Sequence, residues 1–218
     1  VAARQRGHQV VLVSSGAIAA GLPALGMTAR QRPRDSRTLQ AVSAVGQARL
    51  MATYDEHFAA LDGTVAGQVL LVPDDFSNRS TYLQARDTLE RLAELGVVPI
   101  INENDAIADG EIRIGDNDRI AALVAHLVRA DLLVLLTDAP GLLTADPRVD
   151  DSASLIEDVL EVARELEELA GGSGSNRGSG GMATKLAAAK IAAWSGVRTV
   201  IAAASRPDVI IDAIDDVA

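Results

Sequence analysis

The sequence contains no cysteine, and aromatic residues make up only 2% of its 218 residues. Without cysteine the chain can form no disulfide and can use no thiolate as nucleophile or metal ligand. It also has no run of about 18 apolar residues, the length that predicts a membrane-spanning helix. Acidic residues exceed basic ones, and the formal net charge of −10 disfavours binding to nucleic acids and to anionic membranes. A cytoplasmic location fits these features, and we predict neither a nucleic-acid nor a membrane partner.

Aliphatic residues dominate the 48% of the chain that is hydrophobic. Short aliphatic runs predict strands at 9–14, 67–72, 97–101, 132–136 and 197–202, and helical spacing predicts helices at 38–61, 80–95, 118–129, 163–170, 182–195 and 207–216. This alternation predicts an α/β fold, a three-layer αβα sandwich around a mostly parallel sheet, and the length predicts a single domain over 1–218. Trp194, near the end of a predicted helix, is expected in the core.

Polar clusters follow several of the predicted strands. Ser14-Ser15-Gly16, Asn102-Glu103-Asn104-Asp105 and Thr137-Asp138 each come directly after an aliphatic run. Ligands of parallel α/β sheets bind outside the carboxyl ends of the strands. These clusters are therefore candidates for a binding site, although Ser14–Gly16 and Thr137-Asp138 taken alone are better explained as helix caps and turn residues.

A segment rich in glycine and serine, 171–181, precedes the predicted helix at 182–195. Gly180 and Gly181 would let the backbone approach an anion, toward which the helix directs free N–H groups. Lys185, predicted in the first turn, could neutralise charge on a phosphate. A surface loop with a solvated lysine explains the segment equally well, and the pattern is not that of a Walker A loop.

The densest polar clusters are 102–105 and 115–118. Amides there could bind a carboxylate or an ammonium group, and a carboxylate could bind an ammonium, orient lysines or hold Mg²⁺. Asp118 could also simply cap the helix that begins there. The spacing of a calcium-binding loop is missing, and no residue is assigned as a metal ligand.

Taken together, the segments resemble the amino acid kinase family, and more closely its glutamate 5-kinase branch. The segments that carry the resemblance occur in the family's order and are 13–21 (VSSGAIAAG), 44–47 (AVGQ), 102–105 (NEND), 115–118 (GDND), 136–138 (LTD), 144–147 (TADP) and 179–185 (SGGMATK).

The resemblance implies phosphorylation of the γ-carboxylate of L-glutamate by ATP, which gives L-glutamyl 5-phosphate in the first step of proline biosynthesis. It implies that Ser15, Asp105 and Asn117 bind glutamate, with Asn102 nearby. It implies that the ATP-binding residues are Thr137, Asp138, Ser179, Gly180, Gly181, Met182, Ala183, Thr184 and Lys185. Lys185 would stabilise the transferred phosphoryl group, and Asp118 would orient the catalytic lysines. The family uses Mg²⁺, is commonly inhibited by proline, and commonly forms homodimers or homotetramers.

The sequence departs from the family pattern at its start. The family begins with a strand whose Lys-x-Gly-Ser-type motif supplies another phosphate-binding lysine, and we expect a preceding segment to carry it. Many relatives have a C-terminal PUA domain, which these residues do not include. Two alternatives remain. One is a sibling kinase that acts on acetylglutamate, aspartate, carbamate or UMP, and the other is a non-catalytic regulator that binds glutamate or proline.

Overall fold

The computed structural model describes residues 1–61, 63–107, 116–145, 150–162, 164–170 and 179–216. The chain forms two compact units, a first unit of Val1–Arg113 and a second unit of Ile114–Ala218. The single domain over 1–218 stays a prediction. Among the helices that the structure describes, none combines the length and the apolar character needed to cross a membrane.

The first unit contains strands that are all parallel. Its elements are α1 (Ala2–Gln5), β1 (Leu12–Val13), α2 (Ala17–Ala24), α3 (Ser36–Leu61), β2 (Ala66–Leu71), α4 (Arg79–Glu94) and β3 (Val98–Glu103), with 3₁₀ turns at Ala29–Gln31 and Pro73–Phe76. β3 lies between β1 and β2, and every residue of β3 is buried. In register, Val13 lies opposite Ile101, and Leu71 opposite Glu103. The carboxyl end of β3 therefore lies in the middle of this sheet's carboxyl edge.

Helices α2 and α3 pack with their backbones in close approach. A Cβ atom added at Gly46 would lie 1.7 Å from the carbonyl oxygen of Ala17, and one added at Gly21 would lie 2.1 Å from that of Val42. Only glycine fits at these two crossing points, because any side chain would overlap backbone atoms. The contact fixes α3 against the helix that begins directly after the loop following β1.

The second unit contains another pair of parallel strands. Its elements are α5 (Asp116–Leu127), β4 (Leu132–Thr137), α6 (Arg164–Ala170), α7 (Ser179–Trp194), β5 (Arg198–Ala203) and α8 (Val209–Asp215). Leu132 lies opposite Arg198, and Thr137 opposite Ala203. Helices α5 and α8 contact β4, and α7 and α8 contact β5. After β4 the chain makes an isolated antiparallel bridge between Leu143 and Leu155.

The predicted α/β fold with parallel strands and flanking helices is confirmed. The strand predicted at 9–14 is limited to Leu12–Val13, and the strand predicted at 97–101 extends to Glu103. The helix at 118–129 begins two residues earlier than predicted, at Asp116. The expectation that Trp194 lies in the core is wrong for the described residues, because its side chain at the end of α7 is 78% exposed.

Candidate active site

One face of α3 carries polar side chains that contact the carboxyl edge of the first unit's sheet. Ser43, Gln47 and Tyr54 are separated by four and seven residues, a spacing that places them on the same side of a helix. The Ser43 hydroxyl donates to Oδ2 of Asp105 at 2.8 Å, and the Tyr54 hydroxyl donates to Oγ of Ser14 at 2.8 Å. The helix thus holds the segments that follow β1 and β3.

The buried side chain of Gln47 is the centre of a hydrogen-bond network. Its Oε1 accepts from Nε2 of Gln68 at 2.6 Å and from Nδ2 of Asn102 at 3.4 Å, and its Nε2 donates to the carbonyl oxygen of Glu103 at 3.4 Å. The Oδ1 atom of Asn102 accepts from the backbone N–H of Glu103 at 2.9 Å. Asn102 is 1% exposed, so its amide is bonded inside the protein and determines the conformation of the strand end.

The loop after β1 presents Ser14 and Ser15 in different environments. The backbone N–H of Ser14 donates to Ile101 at 2.8 Å, which continues the β1–β3 ladder, and its hydroxyl donates to the carbonyl oxygen of Ser15 at 3.0 Å. Ser14 is buried, whereas Ser15 is exposed. Gly16 follows with φ of 101° and caps α2, a left-handed conformation that glycine adopts without strain. Ser15 is therefore the residue of this loop that is accessible to a ligand.

The second unit brings Asp118 of α5 together with Lys185 of α7. Lys185 Nζ lies 2.8 Å from Oδ1 of Asp118, and the Thr184 hydroxyl donates to Oδ2 of Asp118 at 2.7 Å. The side chains of Lys185 and Asp118 are 15% and 16% exposed. An ion pair with this little solvent contact holds the lysine head group in one place, since leaving either charge alone there would be costly.

The residues predicted as an anion-binding loop, Ser179, Gly180 and Gly181, lie instead in the first turn of α7. Lys185 is consequently the seventh residue of the helix rather than part of its first turn. Glycine is a weak helix former, but the alanine-rich stretch after it and tertiary contacts favour the helix. Met182 packs against the buried pair Leu142 and Leu186, and the hydroxyl oxygen of Thr184 also lies 3.0 Å from the carbonyl oxygen of Gly181. Residues 171–178 of the predicted loop lie outside the described part of the chain.

Thr137 and Asp138 lie at the carboxyl end of β4, as predicted. The Thr137 hydroxyl accepts from the backbone N–H of Ala139 at 3.3 Å and donates to Oδ1 of Asp138 at 3.3 Å. The Thr137 carbonyl accepts from Ala204 at 2.8 Å, so this end of β4 is fixed to the segment after β5. Asp138 itself is exposed.

Asn117 and Asp118 both lie in the first turn of α5, which begins at Asp116. Because α5 begins at Asp116, Asp118 is its third residue rather than its N-cap, and the carboxylate of Asp118 is bonded to Thr184 and Lys185. Two parts of the motif segments lie outside the described residues. They are Gly115 of the 115–118 segment and residues 146–147 of the 144–147 segment. In the part of the chain that the structure describes, no group of three or more His, Asp or Glu side chains is arranged to hold a metal ion.

Sequence reasoning assigned no role to Ser43, Gln47, Tyr54 or Gln68, although Gln47 belongs to the AVGQ segment. The available signal was the placement of Ser43 and Gln47 four residues apart, beside Leu39 and Val42 on the buried side of α3. Polar residues on an apolar helix face require hydrogen-bond partners, and here the partners are the strand-end residues.

The family model for the amino acid kinase family matches residues 1–203 of the chain. The match spans both units and includes the α3 face, the strand ends and the Asp118–Lys185 pair. The chain belongs to the amino acid kinase family.

Curated relatives narrow the resemblance to one branch of the family. Proteins named glutamate 5-kinase from Burkholderia mallei (strain SAVP1) and Burkholderia pseudomallei (strain 668) are each 52% identical over 210 residues, which is 96% of this chain and 56% of theirs. The protein of that name from Burkholderia multivorans is 51% identical over the same shares. The chain thus spans little more than half the length of these relatives.

Solved structures of more distant kinases share the fold. Uridylate kinase from Archaeoglobus fulgidus aligns over 96% of this chain and 82% of its own, with 20% identity and a TM-score of 0.58. Isopentenyl phosphate kinase from T. acidophilum aligns over 81% and 67%, with 19% identity and a TM-score of 0.55. Aspartokinase III from E. coli aligns over 79% and 39%, with 21% identity and a TM-score of 0.55. At these identities the likeness shows the amino acid kinase fold alone.

Proposed function

We propose that the full-length protein transfers the γ-phosphoryl group of ATP to the γ-carboxylate of L-glutamate, giving L-glutamyl 5-phosphate and ADP as the first step of proline biosynthesis. The 52% identity to proteins named glutamate 5-kinase supports this substrate pair. The observation in the structure that carries the proposal is the Lys185–Asp118 ion pair, held at 2.8 Å and only partly exposed. A cation fixed in this way suits a reaction that transfers a highly charged group.

Phosphoryl transfer requires positioning and neutralisation of charge more than covalent help from the protein. The acceptor is a carboxylate, which is already ionised at neutral pH, so the reaction needs no general base. We assign to Lys185 the stabilisation of charge on the transferred phosphoryl group, and to Asp118 the orientation of Lys185. Thr184 contributes by donating to the second oxygen of Asp118 at 2.7 Å.

The ATP-binding residues are proposed to lie at the start of α7 and at the end of β4. The first turn of α7 consists of Ser179, Gly180, Gly181 and Met182, whose N–H groups have no partner within the helix and can bind phosphate. Ala183 continues this turn toward Thr184 and Lys185. Thr137 and Asp138 are proposed to contact the nucleotide from the carboxyl end of β4.

Glutamate is proposed to contact Ser15, Asp105 and Asn117. Ser15 is exposed at the start of α2, and the carboxylate of Asp105 can bind the α-ammonium group of the substrate. Asn102 shapes the strand end beside them, because both ends of its amide are bonded within the protein. We further propose that proline is a feedback inhibitor, that the enzyme is a cytoplasmic homodimer or homotetramer, and that residues 1–218 form one kinase domain.

Mg²⁺ is proposed to reach the site with ATP. The phosphates of ATP would be its main ligands, and no side chain of the described residues is assigned as a metal ligand. When bound, the cation neutralises charge on the β- and γ-phosphates.

The test is a substrate panel on the full-length protein. ADP release is measured with L-glutamate, acetylglutamate, aspartate, carbamate or UMP as acceptor, and the acyl phosphate is trapped with hydroxylamine as a hydroxamate. Glutamate-dependent ADP release with an equal amount of hydroxamate is expected. Turnover of another acceptor but not of glutamate would favour a sibling kinase, and binding of glutamate or proline without turnover would favour a regulator.

A further inference from the structure

We propose that Ser43 is a positioning residue for glutamate, acting through the carboxylate of Asp105; this inference rests on the proposed function. Ser43 lies in the first third of α3, and Asp105 lies in the turn after β3. The Ser43 hydroxyl donates to Oδ2 of Asp105 at 2.8 Å, which joins residues 62 positions apart.

The environment of Ser43 explains why this bond restricts Asp105. Ser43 is 1% exposed, so its hydroxyl has no access to bulk water. A serine inside a helix commonly donates to the carbonyl oxygen four residues earlier, as Thr53 does toward Arg49 at 3.1 Å in the same helix. Ser43 instead donates to a carboxylate, and hydrogen bonds to charged groups are stronger than those between neutral groups.

The helix that presents Ser43 is itself held in place. Gly46, three residues further along α3, packs directly on the backbone of α2, and Gln47 bonds to Asn102 and Glu103 at the end of β3. The hydroxyl of Ser43 is therefore fixed relative to the segment that carries Asp105. The consequence is a carboxylate whose orientation is set before glutamate binds, which lowers the entropic cost of binding.

The experiment measures steady-state kinetics of full-length Ser43→Ala and of wild type, with glutamate and ATP varied separately. Loss of the bond should raise the KM for glutamate about 10-fold, leaving the KM for ATP and kcat within about 3-fold of wild type. Thr53→Ala is the matched control, since it removes an exposed hydroxyl from the same helix and should change no kinetic constant more than about 2-fold.

A second comparison separates action through Asp105 from a general structural effect. In an Asp105→Ala background the acceptor is gone, so adding Ser43→Ala should lower kcat/KM for glutamate by less than about 2-fold. Ser43→Thr, which retains the hydroxyl, should recover most of the affinity for glutamate.

The outcomes distinguish failure of the proposed function from failure of this inference. A wild-type protein that does not phosphorylate glutamate would overturn the proposed function and this inference together. An active wild type with an unchanged KM for glutamate in Ser43→Ala would overturn the inference alone. An equal loss from Ser43→Ala with and without Asp105 would also overturn it, because the hydroxyl would then act independently of that carboxylate.

Discussion

In the first unit, Asn102 and Asp105 at the end of β3 accept or donate hydrogen bonds to the buried side chains of Gln47 and Ser43 on α3, whereas in the second unit Lys185 and Asp118 are held by a partly exposed ion pair. Asn102 and Ser43 are each 1% exposed, while Lys185 and Asp118 are 15% and 16% exposed. The first unit uses neutral amides and hydroxyls from α3 to hold the end of β3. The second unit uses opposite charges from α5 and α7.

This difference matches the needs of the two proposed substrates. Glutamate is a small ligand that a preformed pocket can recognise by geometry, so fixed amides and carboxylates suit it. A transferring phosphoryl group changes its charge distribution during the reaction, and a lysine that a carboxylate holds in place can stabilise that charge without moving. The comparison predicts that mutations in the two units affect different kinetic constants.

The largest expected effect comes from removing the cation of the second unit. Lys185→Ala should lower kcat about 10²- to 10³-fold, because the developing phosphoryl charge loses a fixed positive partner. Steady-state assays with saturating ATP and glutamate measure this loss, and circular dichroism checks the fold. Lys190→Ala is the matched control, since Lys190 lies on the same helix and pairs with Glu167 at 2.5 Å. Activity of Lys185→Ala within a few-fold of wild type would remove this lysine from the mechanism.

The next largest expected effect is on stability and comes from disturbing the packing of α3 on α2. Gly46→Ala places a Cβ atom 1.7 Å from the carbonyl oxygen of Ala17, so the helices must separate. We expect a loss of about 3 kcal/mol in the free energy of unfolding. Urea denaturation measures it, with Thr53→Ala as a control on the exposed side of the helix. A stability equal to wild type would show that the two helices do not pack as described.

Removing the carboxylate of Asp105 tests the first unit directly. Asp105→Ala should raise the KM for glutamate about 30-fold with a much smaller change in kcat, because the substrate's ammonium group loses its charged partner. Initial-rate measurements over a range of glutamate concentrations give both constants. Asp87→Ala, at an exposed site on α4, serves as the control. An unchanged KM would contradict the role assigned to Asp105.

The smallest expected effect is on stability and comes from Asp35, at the start of α3. This helix carries Ser43 and Gln47 further along its length. Asp35 accepts from the backbone N–H of Thr38 at 2.9 Å, and this bond, together with one to the Thr38 hydroxyl, lowers the pKa of Asp35 below its usual 3.8. A lowered pKa stabilises the folded state above pH 3.8, and that stability is lost as the pH falls through the pKa of the folded state.

Asp35→Ala should therefore lower the urea midpoint slightly at pH 7, and the difference from wild type should shrink as the pH falls below 4. Urea titrations of both proteins at several pH values measure this. A difference that is independent of pH would show that the carboxylate does not act through its charge.

The fold was largely predictable from the sequence because aliphatic runs and helical spacing are local signals. The strands at Ala66–Leu71, Leu132–Thr137 and Arg198–Ala203 lie within one residue of their predicted bounds. The strand before Ser14 was predicted too long, since the run of aliphatic residues continues beyond the part that pairs with β3. Glycines at 180 and 181 predicted a loop, but packing of Met182 and Leu186 favoured a helix.

The candidate site was predictable only in part. The motif segments indicated Asp118 and Lys185, and the structure brings these two together, which supports their proposed roles. No local signal indicated that Ser43 contacts Asp105 or that Gln47 contacts Asn102, because such bonds join residues more than 50 positions apart. Partners of this kind become visible only when the strands and α3 are placed in three dimensions.

The most direct test of the difference between the two units is a side-by-side determination of kcat and of the KM for glutamate in Lys185→Ala and Asp105→Ala of the full-length protein. We expect the loss to appear mainly in kcat for Lys185→Ala and mainly in the KM for glutamate for Asp105→Ala. If both variants changed the same constant by similar factors, the two units would not have the separate roles that their contacts indicate.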